Sequence, residues 1–244
     1  MTQEVRAEAL RVAYGPVQAV REVTFAASRG RVVALLGQNG AGKTSLLKAL
    51  SGLVRPKDGR VILDDKDVTR RGPAERLAAG LSHVPEGRRL FVTETVYDNL
   101  LVGGHLRRRS GGLHAKAQAL LGDVPALKGH HRRQAGLLSG GQQQLVAILR
   151  GLMSDPHYLL LDEPFNGLAP TAREDVGQLI RDIAAAGAGV VVVEQLAAAV
   201  LPIADDVVVM NNGRVVLTGD GAELRDGAAV YDAYLGNHRS EEET

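Results

Sequence analysis

Residues Gly37 to Thr44 read G-Q-N-G-A-G-K-T, which satisfies G-x-x-x-x-G-K-[ST], and no other stretch constrains the fold as tightly. The apolar run Val32 to Leu36 precedes it and the helix-forming run Ser45 to Leu50 follows, so the local order is strand, glycine turn, helix. Glycines at 37, 40 and 42 let the main chain approach phosphate groups closely. The helix beyond them starts with unpaired N–H groups and a partial positive charge. Gly37, Gln38, Asn39, Gly40, Ala41, Gly42, Lys43, Thr44 and Ser45 are therefore candidate ligands of a nucleoside triphosphate. Lys43 is placed to reach the β- and γ-phosphates, and Thr44 to offer its hydroxyl to magnesium. A plain glycine-rich turn with a solvent-facing lysine carries the same letters, so further motifs must decide.

Composition narrows the setting. The chain has 244 residues, no cysteine, and 29 Lys and Arg against 28 Asp and Glu. Disulfides, thiolate metal sites and cysteine nucleophiles are excluded, and no global field draws nucleic acid or anionic lipid. With three Phe, five Tyr and no Trp, the core rests on Leu, Val, Ile and Ala, which suits helices packed on a buried parallel sheet. Met1 to Arg6 lacks the layout of a secretory signal, and no run approaches roughly 18 apolar residues, so a cytosolic position is expected.

The pattern of elements divides the chain. Val5 to Tyr14 and Val20 to Ala27 predict antiparallel strands about Gly15-Pro16, followed by short strands at 59–64 and 81–84. From Glu86 helical spacing takes over, with loops at Gly103-Gly104 and Ser110 to Gly112. Strands return at 158–161, 190–193 and 207–210, separated by helices near 170–186 and 196–203. The expected organisation is one α/β domain with a P-loop NTPase core (1–85 and 155–239), an N-terminal antiparallel β part, an inserted α-helical subdomain (86–154) and a frayed tail (240–244).

Two further motifs stand beside the loop. Tyr158 to Glu163 is an apolar strand ending in two carboxylates, where a strand end would open onto the phosphate loop. Asp162 suits magnesium, and Glu163 suits polarising a water for attack on the γ-phosphate. Leu138 to Gln144, L-S-G-G-Q-Q-Q, precedes a helical run. Ser139 is a good N-cap there, and Gly140 and Gly141 expose amides at the positive end of the helix, forming either a second anion site or an ordinary capped start.

The order of phosphate loop, helical insert, L-S-G-G-Q and strand with Asp-Glu resembles the nucleotide-binding subunits of ABC transporters over nearly the whole chain. The resemblance implies ATP and Mg2+ as cofactors, with Tyr14 stacked on adenine, Lys43 and Thr44 on phosphate and magnesium, Asp162 as metal ligand and Glu163 as base. It implies also that Ser139, Gly140, Gly141 and Gln142 touch the γ-phosphate bound to an opposite subunit, so that two subunits sandwich two ATP molecules. Phe91, Val92 and Tyr97 would face a membrane partner, unless they belong to the local core. Arg107, Arg108 and Arg109 are expected in a solvated loop.

Three positions depart from the commonest family pattern. Glu86 stands where a glutamine is usual, Gln195 where a histidine is usual, and Ala169 where an aspartate is usual. The combination V-P-E-G-R-R, G-L-A-P and V-E-Q resembles one ATPase subunit of branched-chain amino acid importers and of related urea and amide importers. That resemblance implies a second, different ATPase subunit (a homodimer is the other option), two permeases, an external solute-binding protein, no nucleic acid, and a peripheral place on the cytoplasmic face of the inner membrane. Glu86 can still ligate magnesium but donates no hydrogen bond when ionised, and Gln195 donates to phosphate without positive charge. The expected result is tight ATP binding with slow hydrolysis until a partner completes the site. A soluble ABC-type ATPase acting on nucleic acid or ribosomes is the alternative, as is a regulatory cassette that binds ATP without hydrolysing it.

Overall fold

The computed structural model describes residues 2–105 and 112–235. The arginine run 107–109 and the tail from Ser240 lie outside them. The first hairpin is as the alternation demands: β1 (Glu4–Tyr14) turns at Gly15 into β2 (Val17–Ser28), with Tyr14 paired to Val17. Strand β3 (Val32–Leu36) then leaves for a second sheet. β4 (Asp58–Leu63) and β5 (Lys66–Asp67) return to the first sheet, whose order is β2-β1-β4-β5.

The second sheet adds β6 (Leu81–Val84), β7 (Tyr158–Asp162), β8 (Gly189–Glu194), β9 (Asp206–Asn211) and β10 (Arg214–Asp220), in the order β10-β9-β3-β8-β7-β6. Five of these strands run parallel, and β10 alone pairs antiparallel at the edge. The central strands are buried on both faces, which is why they read as continuous Val and Leu runs rather than as alternation. Their side chains still divide by parity. Ala34, Leu36, Leu159, Leu161, Val190 and Val192 enter one core, whereas Val33, Leu35, Tyr158, Leu160, Val191 and Val193 enter the other.

The first of those cores receives helices α3 (Val96–Gly103), α4 (Leu113–Gly122), α5 (Gly140–Leu152) and α6 (Pro170–Ala185). The second holds α1 (Lys43–Leu50) between the two sheets. The remaining α-helices among the described residues are α2 (Pro73–Ala78), α7 (Ala197–Val200) and α8 (Ala228–Leu235). Arg76 of α2 is only 1% exposed and donates to the carbonyls of Ala49 and Leu50, 2.6 Å each, at the end of α1. It also donates to Thr69 and Arg71 carbonyls, so one buried guanidinium caps the helix that carries the phosphate loop. Burial pulls its pKa down to about 10, which leaves it cationic at neutral pH.

Candidate functional site

Strand register gathers the site. Leu36 at the end of β3 pairs with Glu194 at the end of β8, and Asp162 at the end of β7 pairs with Val193. The phosphate loop, the Asp-Glu pair and Gln195 thus leave neighbouring parallel strands at one carboxyl edge, where crevices of open α/β sheets form. A cleft of about 930 Å³ opens there, and Gln38, Asn39, Thr44, Glu86, Glu163, Glu194 and Gln195 are among its lining. That size suits a nucleotide-scale ligand.

The loop is held by contacts that only glycine permits. A Cβ at Gly37 would overlap the Met210 carbonyl oxygen, and one at Gly42, whose φ is +103°, would overlap that of Ala19. Gly40, at φ +82°, faces open space. Gly42 is the N-cap of α1 and offers no side chain, so the first-turn amides stay open to an anion. Lys43 is 5% exposed and curls into the loop, donating to the carbonyls of Gly37 at 2.7 Å and Gln38 at 3.1 Å. Burial lowers its pKa, and the charges of Glu163, Asp162 and Glu194 oppose that shift.

Thr44 donates its hydroxyl to the Asp162 carboxylate at 3.2 Å. Burial raises the Asp162 pKa, the Thr44 bond and Lys43 oppose the rise, and the charges of Glu163 and Glu86 add to it. Glu194 is buried, accepts the Phe165 N–H at 2.9 Å, and is pushed up to about 7, chiefly by burial. The carboxyl groups of Glu163, Asp162 and Glu194 act on the Lys43 ammonium, and the Thr44–Asp162 pair supplies hard oxygen donors. Among the described residues no cluster of three or more His, Cys, Asp or Glu forms a metal cage. The donor set fits magnesium, which takes one or two protein oxygens and fills its octahedron with phosphate oxygens and water.

Glu163 sits at φ +50°, a left-handed conformation that costs a non-glycine residue on the order of 1 kcal/mol or more. Its N–H donates to the Val193 carbonyl at 3.0 Å, and its carboxylate accepts from Asn166 at 3.3 Å. The turn aims the carboxylate into the cleft. Ala169 is the N-cap of α6 and forms no side-chain cap, so the departure from aspartate forfeits one helix-end hydrogen bond.

Ser139 caps α5, accepting the Gln142 N–H at 3.3 Å, while the Gln142 side chain accepts the Ser139 N–H at 3.1 Å and donates to the Ala126 carbonyl. This reciprocal capping box occupies the Gln142 side chain and leaves the Gly140 and Gly141 amides at the positive helix end. None of residues 139–142 lines the cleft that holds Thr44 and Glu163. Tyr14, 45% exposed, also stands outside that lining, on a hairpin whose Ala19 touches the phosphate loop at Gly42. Phe91 and Val92 are exposed, at 51% and 57%, whereas Tyr97 is half-buried and bonds His114.

Several residues at the site were not anticipated. Arg88 and Arg89 both have positive φ, and Arg150 fixes their carbonyls at 2.9 and 2.7 Å. Arg88 in turn lies against Gly140 and donates to Gln143, joining the Glu86 loop to the start of α5. Tyr231, Tyr234 and Leu235 of α8 line the cleft from the C-terminal side. A near-terminal Ala-Ala-Val-Tyr-Asp-Ala-Tyr-Leu run carries no motif that points to phosphate chemistry.

The sequence model of the ABC transporter family matches residues 20–166, from β2 through the phosphate loop to the turn after Glu163. The chain belongs to the ABC transporter family. It is similar to the high-affinity branched-chain amino acid transport ATP-binding protein BraG of Pseudomonas aeruginosa, 38% identical over 91% of this chain and 95% of that protein. It is also similar to the lipopolysaccharide export system ATP-binding protein LptB of Acidithiobacillus ferridurans, 32% identical over 97% and 98%. A crystal structure of a nucleotide-free ATP-binding cassette from an ABC transporter superposes with a TM-score of 0.88 at 28% identity, covering 99% of this chain and 100% of that one. The chain is thus the ATP-binding subunit of an ABC transporter, an ATPase whose hydrolysis is coupled to transport, and subunits of this family form dimers and work with permease components. Among the described residues no helix is long and apolar enough to cross a membrane.

Proposed function

We propose that this subunit drives uptake of branched-chain amino acids or a related small solute, such as urea or an amide. It pairs with a second, different ATPase subunit beneath two permeases fed by an external binding protein, peripheral to the cytoplasmic face of the inner membrane. The observation that carries this proposal is the 38% identity to a branched-chain amino acid transport protein along 91% of the chain. Glu86, Ala169 and Gln195, at the three positions that depart from the common family pattern, agree with it.

In the proposed cycle the phosphate-loop amides and the Lys43 ammonium hold the β- and γ-phosphates, with Tyr14 against the adenine. Thr44 and Asp162, with Glu86, would hold magnesium, which would supply positive charge against that developing on the phosphates. Glu163 takes the proton of the attacking water, and Gln195 donates an N–H toward the γ-phosphate without adding charge. Ser139 and the Gly140 and Gly141 amides close over the γ-phosphate bound by the facing subunit, so hydrolysis releases the closed dimer. Exposed Phe91 and Val92, beside the Glu86 loop, form the contact with a permease.

Uptake of radiolabelled leucine by cells lacking this gene tests the proposal. Uptake should fall and return with the wild-type gene but not with Glu163→Gln. Unchanged uptake of leucine, urea and short amides would remove it, and a lipopolysaccharide-export defect instead would align the chain with LptB.

A further inference from the structure

The residue that joins the two ends of the phosphate site lies in none of the family motifs. Tyr234 of α8 donates its hydroxyl to the Gln195 carbonyl at 3.1 Å, and the Gly37 N–H points at the same phenol oxygen. The Tyr234 carbonyl accepts from the Gln38 side chain at 3.3 Å. One half-buried residue therefore touches the first two residues of the phosphate loop and the peptide that carries Gln195.

Its own helix is anchored. Val230 and Ala233 are fully or almost fully buried in the main core, the Asn211 side chain donates to the Ala233 carbonyl, and Tyr231 meets Tyr234 edge to face at 6.1 Å. Burial pushes the Tyr234 phenol up to about 12, so the hydroxyl keeps its proton and donates across the neutral range. Gln195 itself is exposed at the cleft and follows β8 directly, so the direction of its side chain depends on how its backbone is held. Among the described hydrogen bonds the Gln195 carbonyl is held by Tyr234.

We propose that Tyr234 is a positioning residue for ATP hydrolysis: its hydroxyl fixes the Gln195 peptide against the mouth of the phosphate loop, so that the Gln195 side chain meets the γ-phosphate. The proposal rests on the role given to Gln195 above. It makes α8 a support for the peptide that carries Gln195.

The test is steady-state ATPase of the assembled transporter carrying Tyr234→Phe, Gln195→Ala or both, with thermal midpoints measured in parallel. Tyr234→Phe keeps the ring and its packing and should lower kcat about three- to tenfold, with KM within twofold and the midpoint unmoved. The double variant should be no slower than Gln195→Ala alone, because both changes remove one arrangement. Tyr234→Leu should lower both kcat and the midpoint, which separates loss of packing from loss of the hydroxyl. Wild-type kcat in Tyr234→Phe beside an impaired Gln195→Ala would overturn the role of Tyr234 alone, as would multiplicative effects in the double variant. A wild-type rate in Gln195→Ala would overturn the Gln195 role and the positioning role together.

Discussion

Thr44 and Asp162, 118 positions apart in the chain, meet through a 3.2 Å hydrogen bond from hydroxyl to carboxylate, and Thr44 lines the cleft. Either side chain alone is ordinary, but together they make a hard-oxygen pair beside the phosphate loop. Asp162→Asn removes the charge and keeps the shape. Magnesium-dependent ATP affinity should weaken about tenfold or more, while binding in the presence of a chelator should change little. Titration of a fluorescent ATP analogue with and without magnesium measures both.

Glu163→Gln should bind ATP as the parent does and hydrolyse it about 10² to 10⁴ times more slowly. Single-turnover hydrolysis beside equilibrium binding separates the two effects. Turnover at the parental rate would move the base elsewhere.

Gln195→His should raise the rate about tenfold, and most below pH 6.5, where an unperturbed histidine carries positive charge toward the γ-phosphate. A pH series of kcat in the two proteins checks this. An equal gain at pH 6 and pH 8 would count against the charge explanation.

Glu194 gives a stability prediction with a definite sign. Its pKa is pushed from 4.5 in the unfolded chain up to about 7 in the fold, so between those values the folded state holds the extra proton. Stability from this group is complete below the unfolded value and is lost as pH rises through about 7. Glu194→Gln keeps an acceptor for the Phe165 N–H and removes the titration. The variant should match the parent near pH 4.5 and exceed it at pH 8, by on the order of 3 kcal/mol as an upper bound. Urea unfolding without nucleotide at the two pH values reads the difference, and a pH-independent gap would refute the assignment.

Ala169→Asp should restore the missing N-cap of α6 and stabilise the protein by about 1 kcal/mol. Thermal unfolding should show a midpoint about 2–4 °C higher. No rise would mean that the Ala169 turn cannot direct a side chain to the helix amides.

What was legible in the sequence follows from spacing. Gly37 to Thr44 needed only the flanking strand and helix to be placed, and the Val and Leu runs of β7, β8 and β9 announced a sheet buried on both faces. Strand β10 was missed because its alternation is half exposed and ends at Gly219 and Asp220. Helix α2 was missed because it spans six residues, and its purpose lies in one buried arginine that caps α1. Arg88, Glu194 and Tyr234 escaped for a common reason: each reaches the site through tertiary contacts with residues far along the chain, and spacing records only local neighbours.

The central claim is that ATP is clamped between the Lys43 loop of one subunit and a serine-glycine helix start of the facing one. A structure of the assembled transporter carrying Glu163→Gln with magnesium and ATP tests it most directly. The account predicts the γ-phosphate on Lys43 within hydrogen-bond distance of the facing subunit's signature serine and glycine amides, and Ser139 to Gly141 of this chain on the nucleotide opposite. Nucleotide seated on the loop with no facing helix start near its γ-phosphate would contradict it.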